Sequence, residues 1–366
     1  MKIVIFGLTI SSSWGNGHAT LWRGLCKALI RMGHQIVFYE RDVPYYANMR
    51  DLHEIPGGRL ELYSVWDDVR TRALSDVGDA DVAIITSYCP DSLAATEIVL
   101  GQPRALRVFY DLDTPITLAR LEDGEGVPYI GPSGLSQFDL VLSYSGGRAL
   151  DEFRVRLGAK SIAPLYGHVD PDVHRPAQPL PHYQSDLSYL GTYSEDRQQT
   201  LEVLLLAPAK MQPRLRFLIA GAQYPQHFPW SRNIYFVRHL PPAEHPAFFC
   251  SSRLTLNITR RAMARMGWCP SGRLFEAAAC GTPIISDGWE GLDAFFKSGN
   301  EIIIAETASD VMTALQLDDH ELSAMARRAR ERALDEHNSS RRAKELIKLL
   351  GRGSRHGPSA LVAEEA

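Results

Sequence analysis

The segment Pro270-Ser271-Gly272-Arg273-Leu274-Phe275-Glu276-Ala277-Ala278-Ala279-Cys280-Gly281-Thr282-Pro283 gathers a capping serine, a glycine, an arginine and a glutamate at the start of one helix. Ser271 can cap that helix, and Gly272 lets a ligand approach the backbone closely. The free N–H groups and the positive end of the helix dipole suit an anion such as a diphosphate. Arg273 adds a charge that can bind phosphate with two donors. Glu276 lies one turn further in, where a carboxylate can accept hydrogen bonds from two vicinal hydroxyls such as those of a ribose. The same spacing also fits a capped helix with an Arg273–Glu276 ion pair at i,i+3 on its surface. Gly281 and Pro283 then end the helix and open a buried strand.

Other candidates follow the ends of apolar runs. Gly191-Thr192-Tyr193-Ser194-Glu195-Asp196-Arg197 is a glycine-led loop that opens a helix with an arginine in its first turn, a second possible anion cradle or a plain exposed helix start. In the first half, Ser11-Ser12-Ser13-Trp14-Gly15-Asn16-Gly17-His18 leads into a helix. The dinucleotide fingerprint needs GxGxxG at such a turn, and here Thr20 stands at the third glycine, so a dinucleotide role is disfavoured. His18 at the helix start sits where the dipole favours a neutral imidazole, which can act as a general base; hydrogen bonding within the loop is the other reading. Phe109-Tyr110-Asp111-Leu112-Asp113-Thr114-Pro115 sets two carboxylates beyond a strand, where ligands of open α/β sheets bind. Asp111 or Asp113 can serve as base or orient His18; a turn with an Asx cap is the alternative. The DxD spacing also fits a metal pair, but no further ligand cluster is visible, and no metal is expected. Glu40-Arg41-Asp42 is similarly placed, with an ion-paired loop as its other reading.

These residues need a scaffold, and the hydrophobic pattern supplies one. Strands are expected at Lys2–Phe6, Gln35–Tyr39, Val82–Thr86, Ala105–Tyr110 and Leu140–Ser143, with a helix at Thr20–Met32. After Pro164–Asp186, which holds five prolines, the pattern restarts. Strands follow at Leu187–Leu190, Arg216–Ala220, Ile234–Val237, Leu254–Asn257, Pro283–Ser286 and Glu301–Ala305, with helices at Arg197–Leu206, Ala243–Cys250 and Gly272–Cys280. A long charged helical region covers Asp318–Leu350. Continuous apolar strands separated by helices mean parallel sheets covered on both faces. The expectation is two α/β domains, 1–166 and 187–350, with a linker at 167–186 and a disordered tail at 351–366. The last helix is allowed to cross back to the first domain.

Bulk properties narrow the function classes. The chain has 366 residues, 45% hydrophobic and 22% charged, with net charge −4, so no global basic field draws it to nucleic acid. Its five cysteines are scattered without a CxxC pair, against both a disulfide framework and a zinc site. The N-terminal apolar run is too short for a signal peptide, and no apolar stretch approaches the roughly 20 residues of a membrane span, so a cytoplasmic location is expected. The run Arg327–Arg332 is interspersed with acidic residues and reads as a solvated helix face, with membrane-surface attachment toward a lipid acceptor as the alternative.

Pro270–Pro283, followed by Asp287-Gly288-Trp289-Glu290-Gly291-Leu292, resembles the C-terminal domain of GT-B glycosyltransferases, nearest the branch of spore-maturation CgeB-like proteins. Asn257–Arg261, with Arg265, sits where that branch places an LN-x-x-R strand end. The likeness covers Leu187 to about Leu315 well and the first half more loosely. It implies two Rossmann-like domains with parallel sheets facing a central cleft. The helix after Ser271 would hold the donor diphosphate, with Gly272, Arg273 and the Gly191, Thr192 and Arg197 loop beside it. Glu276 would bind the ribose. Gly221 and Arg238-His239-Leu240 would wrap the nucleobase, Asp287 and Trp289 belong to the following loop, and Arg261 would help stabilise the leaving diphosphate. The first loop and His18 would line the acceptor side. The chain departs from the commoner pattern of two glutamates eight positions apart: Trp268 stands at the first, sugar-contacting position, with packing in the core or against a ligand as its two readings. The expected activity is metal-independent transfer from a nucleotide-sugar donor, UDP-linked, to a hydroxyl of a glycan, lipid or small molecule, with no cofactor beyond the donor. A UDP-sugar 2-epimerase on the same architecture and a non-catalytic nucleotide-binding protein are the alternatives.

Overall fold

The computed structural model describes residues 1–353. The described residues divide into two compact units: 1–12, 18–166 and 340–353 form the first, and 13–17 with 167–339 form the second.

The first unit is built on seven strands: β1 (Lys2–Gly7), β2 (Gln35–Arg41), β3 (Arg59–Tyr63), β4 (Val82–Thr86), β5 (Leu106–Asp111), β6 (Leu140–Ser143) and β7 (Ile162–Pro164). They pair in the order β3-β2-β1-β4-β5-β6-β7, every pair parallel. β1, β4 and β6 are buried along almost their whole length, which is why they read as unbroken apolar runs. β3 was not expected: Arg-Leu-Glu-Leu-Tyr alternates because it lies at the sheet edge, with only Tyr63 fully buried. The helices Trp66–Gly78, Ser92–Leu100, Thr114–Glu122 and Arg148–Leu157 complete the crossovers that parallel pairing demands. The helix His18–Arg31 starts two residues earlier than its apolar stripe, and packs Leu21, Trp22, Leu25 and Leu29 onto the sheet.

The second unit repeats the plan with β8 (Ser185–Leu190), β9 (Phe217–Ala220), β10 (Ile234–Val237), β11 (Ser252–Asn257), β12 (Ile284–Ser286) and β13 (Ile303–Ile304), ordered β10-β9-β8-β11-β12-β13 and again all parallel. The expected helix at Arg197–Leu206 runs as Glu195–Leu201, widens to a π turn over Glu202–Leu206 and continues as Ala207–Met211. Pro208 has no N–H to donate, so the preceding turn opens.

The region expected as one long helix is two. Asp319–Glu336 ends at His337, whose backbone leaves the helical region, and Ser339–Gly353 begins anew. His337 lies among the rings of Phe275, Phe295 and Phe296, and Asn338 pairs with Val169. The final helix buries Ala343, Leu346 and Leu350 in the core of the first unit. Of the expected tail, Gly351–Gly353 belong to that helix, and the remainder lies outside the described residues.

Both strand orders step outward in opposite directions from a central pair, β1/β4 in one unit and β8/β11 in the other. At such a switch point the crossovers diverge and leave a crevice beyond the carboxyl ends of the strands.

Candidate active site

In the second unit, the carboxyl ends of β8 and β11 carry Gly191 and Asn257. Gly191 has no room for a side chain: a Cβ there would lie 2.6 Å from the Tyr189 hydroxyl and 2.9 Å from Arg273 Nη2. Gly221, beyond β9, has φ +154°, and a Cβ on it would lie 2.0 Å from Gly191 O. The two glycine loops therefore close against each other at the sheet end.

Arg273 stands over this point. Ser271 caps its helix, Oγ accepting from Arg273 N at 3.3 Å. Arg273 Nη1 donates to Asn257 Oδ1 at 2.9 Å, and the guanidinium lies 5.1 Å from the Tyr189 ring centre. Asn257 is itself tied by Nδ2 to Ser286 Oγ at 2.9 Å. Arg197 donates from Nη1 to Thr192 O at 3.0 Å and also reaches Tyr189, while its Nε is buried without a partner among the described residues. Burial and the neighbouring Arg197 both push the Arg273 guanidinium below its usual pKa. Two guanidinium groups thus share one phenol and hydrogen-bond neutral oxygens; among the described residues Glu276 and Asp196 act on them through charge and not through a hydrogen bond. Gly272 has no atom within 4 Å of the position its Cβ would take, so the space at the helix start is open.

Glu276 is not the surface partner of Arg273. Its side chain is buried, with Oε1 3.9 Å from His174 Nε2 and Oε2 3.6 Å from His245 Nδ1. Burial pushes the carboxyl up, but the imidazole groups and Arg273 outweigh it and hold it near 2. His174, buried, is pushed down to about 4. The donor atoms of His174, His245 and Glu276 all lie within 4.8 Å of one another, a set whose chemistry can also hold a metal ion. His245 Nε2 contacts Leu240 O at 3.2 Å, and His239 stacks on Trp14 at 4.7 Å.

Other candidates have different surroundings. Arg261 is exposed and donates to Gln199 Oε1 at 3.1 Å; its neighbour Arg260 pairs with Asp196 at 2.9 Å. Asp287 accepts from Thr259 N and Oγ1, both at 3.0 Å, and so fixes the loop after β11. Trp289 leaves its indole N–H buried without a partner among the described residues. Trp268, at φ +48°, lays its ring on Gly291, where a Cβ would come within 2.5 Å, and against Phe295. Its contacts are those of a packing residue. A cavity of about 470 Å³ opens at the opposite, amino ends of these strands, lined by Ser185, Asp186, Arg216 and Ser252, and contains none of the candidate residues.

In the first unit, His18 Nε2 lies 3.3 Å from Asp113 Oδ2, both side chains partly exposed. Asp111 corrects the expectation of a crevice-facing acid. It is fully buried, Oδ1 accepting from Asp113 N at 2.8 Å and Oδ2 from Thr117 Oγ1 at 2.6 Å. Burial raises its carboxyl to about 7. Glu40 is likewise internal: its carboxylate accepts from Thr9 Oγ1, Ile10 N, Ser11 N and Ser11 Oγ at 2.5–2.9 Å, and so ties down the first loop. His174, His245 and Tyr189 were missed in the sequence. Only the topology brings the proline-rich segment, a helix start and a strand end to one point.

Residues 197–348 match the Glycosyl transferase-like family. No curated protein matches the chain. Among solved structures, it is similar to the α-glucosyltransferase in complex with UDP, with a TM-score of 0.71 at 13% identity over 96% of this chain and 100% of that one. Sucrose-phosphate synthase from Thermosynechococcus elongatus gives 0.69 at 12% identity over 96% and 98%. HepE of Anabaena in complex with UDP and glucose gives 0.65 at 14% over 96% and 100%. These likenesses establish the GT-B fold. The family match and the fold together support glycosyl transfer. Among the described residues, no helix is long and apolar enough to cross a membrane.

Proposed function

We propose that the second unit binds a UDP-linked sugar and that the chain transfers the sugar to an acceptor hydroxyl without a metal ion, as a CgeB-like member of the fold. The observation that carries this reading is the pair Arg197 and Arg273 at the β8/β11 switch point, beside the open helix start at Gly272. Fixed positive charge there can stabilise the negative charge that develops on a leaving diphosphate, the role a metal would otherwise fill. Glu276 takes the ribose hydroxyls, Leu240 and its loop the base, and His18 with Asp113 the acceptor proton. The bound UDP in the α-glucosyltransferase and HepE structures agrees with this donor class.

Titration calorimetry with UDP tests the site. Arg273→Ala and Glu276→Ala are each expected to weaken binding about tenfold or more, the scale of a lost hydrogen bond to a charged group. Unchanged affinity in both variants, or none in the parent, would remove the assignment. Sugar transfer that persists in the presence of EDTA is the matching expectation for metal independence.

A further inference from the structure

We infer that His174 and His245 are positioning residues that fix Glu276 for the ribose and couple it to the base-side loop, an inference that rests on the donor reading of Glu276. The tautomers follow from the contacts. Leu240 O accepts only, so His245 carries its proton on Nε2, 3.2 Å away. His245 Nδ1 then faces His174 Nε2 at 3.3 Å. A bare His174 Nε2 would set three acceptors against one another, so His174 carries its proton there, and its Nδ1, buried without a partner among the described residues, is the bare nitrogen. One N–H thus points between His245 Nδ1 and Glu276 Oε1, the latter at 3.9 Å.

Two consequences follow. Among the described residues the N–H that these tautomers aim toward Glu276 is that of His174 Nε2, 3.9 Å from Oε1 and beyond a closed hydrogen bond, so the carboxylate keeps acceptor capacity for two hydroxyls while its orientation is set by buried rings. The chain Leu240–His245–His174–Glu276 joins the segment after β10, the start of the helix His245–Cys250, the proline-rich segment and the helix Gly272–Cys280. Displacing either ring frees the carboxylate to rotate or take up water. The ribose then loses its fixed acceptor while the phosphate contacts at Arg273 remain.

The test compares UDP with 2′-deoxy-UDP by calorimetry, with pyrophosphate as a probe of the intact phosphate site. The parent is expected to prefer UDP by about tenfold or more, through charge-assisted hydrogen bonding of the 2′-hydroxyl to Glu276, and Glu276→Ala to abolish the preference. His174→Ala and His245→Ala are expected to bring the ratio close to one with pyrophosphate affinity retained. His174→Gln, whose amide nitrogen can take the place of Nε2, is expected to keep the preference. Alanine variants that retain the parental ratio overturn the inference and leave the donor reading standing. A parent that binds no UDP sinks that reading and the inference with it. One equivalent of metal copurifying with the parent and lost from His174→Ala would make the cluster a metal centre and overturn the positioning role.

Discussion

A carboxyl group sealed from water keeps its proton unless donors compensate. Asp111 has two donors, yet burial still lifts it to about 7 from an ordinary 3.8. Between those values the folded chain holds a proton that the unfolded chain has released. This contribution to stability is therefore fully present below about pH 4 and is lost as the pH rises toward 7. Asp111→Asn carries no such proton, and an amide can donate to Thr117 Oγ1 where the carboxylate accepts. The expected result is a melting temperature that falls more steeply between pH 4 and 7 in the parent than in the variant; parallel profiles would remove the raised pKa. The same burial leads to the expectation that Asp111 takes no direct part in proton transfer. Asp111→Asn is expected to keep kcat within a fewfold of the parent, whereas His18→Ala lowers it about 10²-fold or more, as loss of a general base does. Steady-state kinetics with any accepted donor and acceptor separates the two.

At the scale of elements, three glycines make separable demands. Gly221 and Gly191 are required by close approach, and an alanine at Gly221 must displace Gly191 O, 2.0 Å away. Gly221→Ala is expected to lower stability by about 3 kcal/mol or more, read as a shifted denaturation midpoint. Gly272→Ala meets nothing within 4 Å and replaces a poor helix former, so its stability is expected to stay level or rise slightly. Its methyl group nevertheless occupies the space at the helix start, and UDP affinity is expected to fall. A variant that melts like the parent and binds like it would show that the ligand does not approach Gly272. The contrast also marks what was legible in the sequence. The motif around Arg273 and the buried strands of both sheets showed in residue type and run length, because a parallel sheet covered on both faces writes itself as apolar runs. β3 did not, since an edge strand alternates, and neither did the helices after it, among them Ser92–Leu100, which is apolar on most sides and shows no one-sided stripe. The environment of Glu276 was hidden for another reason: His174 and His245 come from segments that carry no periodicity, and they meet only after the crossovers close.

At the scale of the molecule, the two units are not consecutive in the chain. The second ends at Ser339, and the helix that follows returns to the core of the first, where Leu346 and Leu350 pack with the residues of β1, β5 and β6. Fully burying a leucine contributes about 1.5–3 kcal/mol, so these two side chains with Ala343 supply several kcal/mol, a large share of an ordinary domain's net stability. A chain ending at Asn338 keeps every strand of both sheets, yet it leaves an apolar face of the first unit open to water. The expected outcome is selective. Hydrogen exchange should rise across β1, β5 and β6, while β8, β9 and β11, whose core holds none of the removed residues, keep their protection. Calorimetry should then resolve a lower-melting transition for the first unit, and adding the segment from Ser339 on as a separate peptide should raise it in a concentration-dependent way. Uniform loss of protection across both sheets would instead mean that the final helix stabilises the chain as one cooperative body.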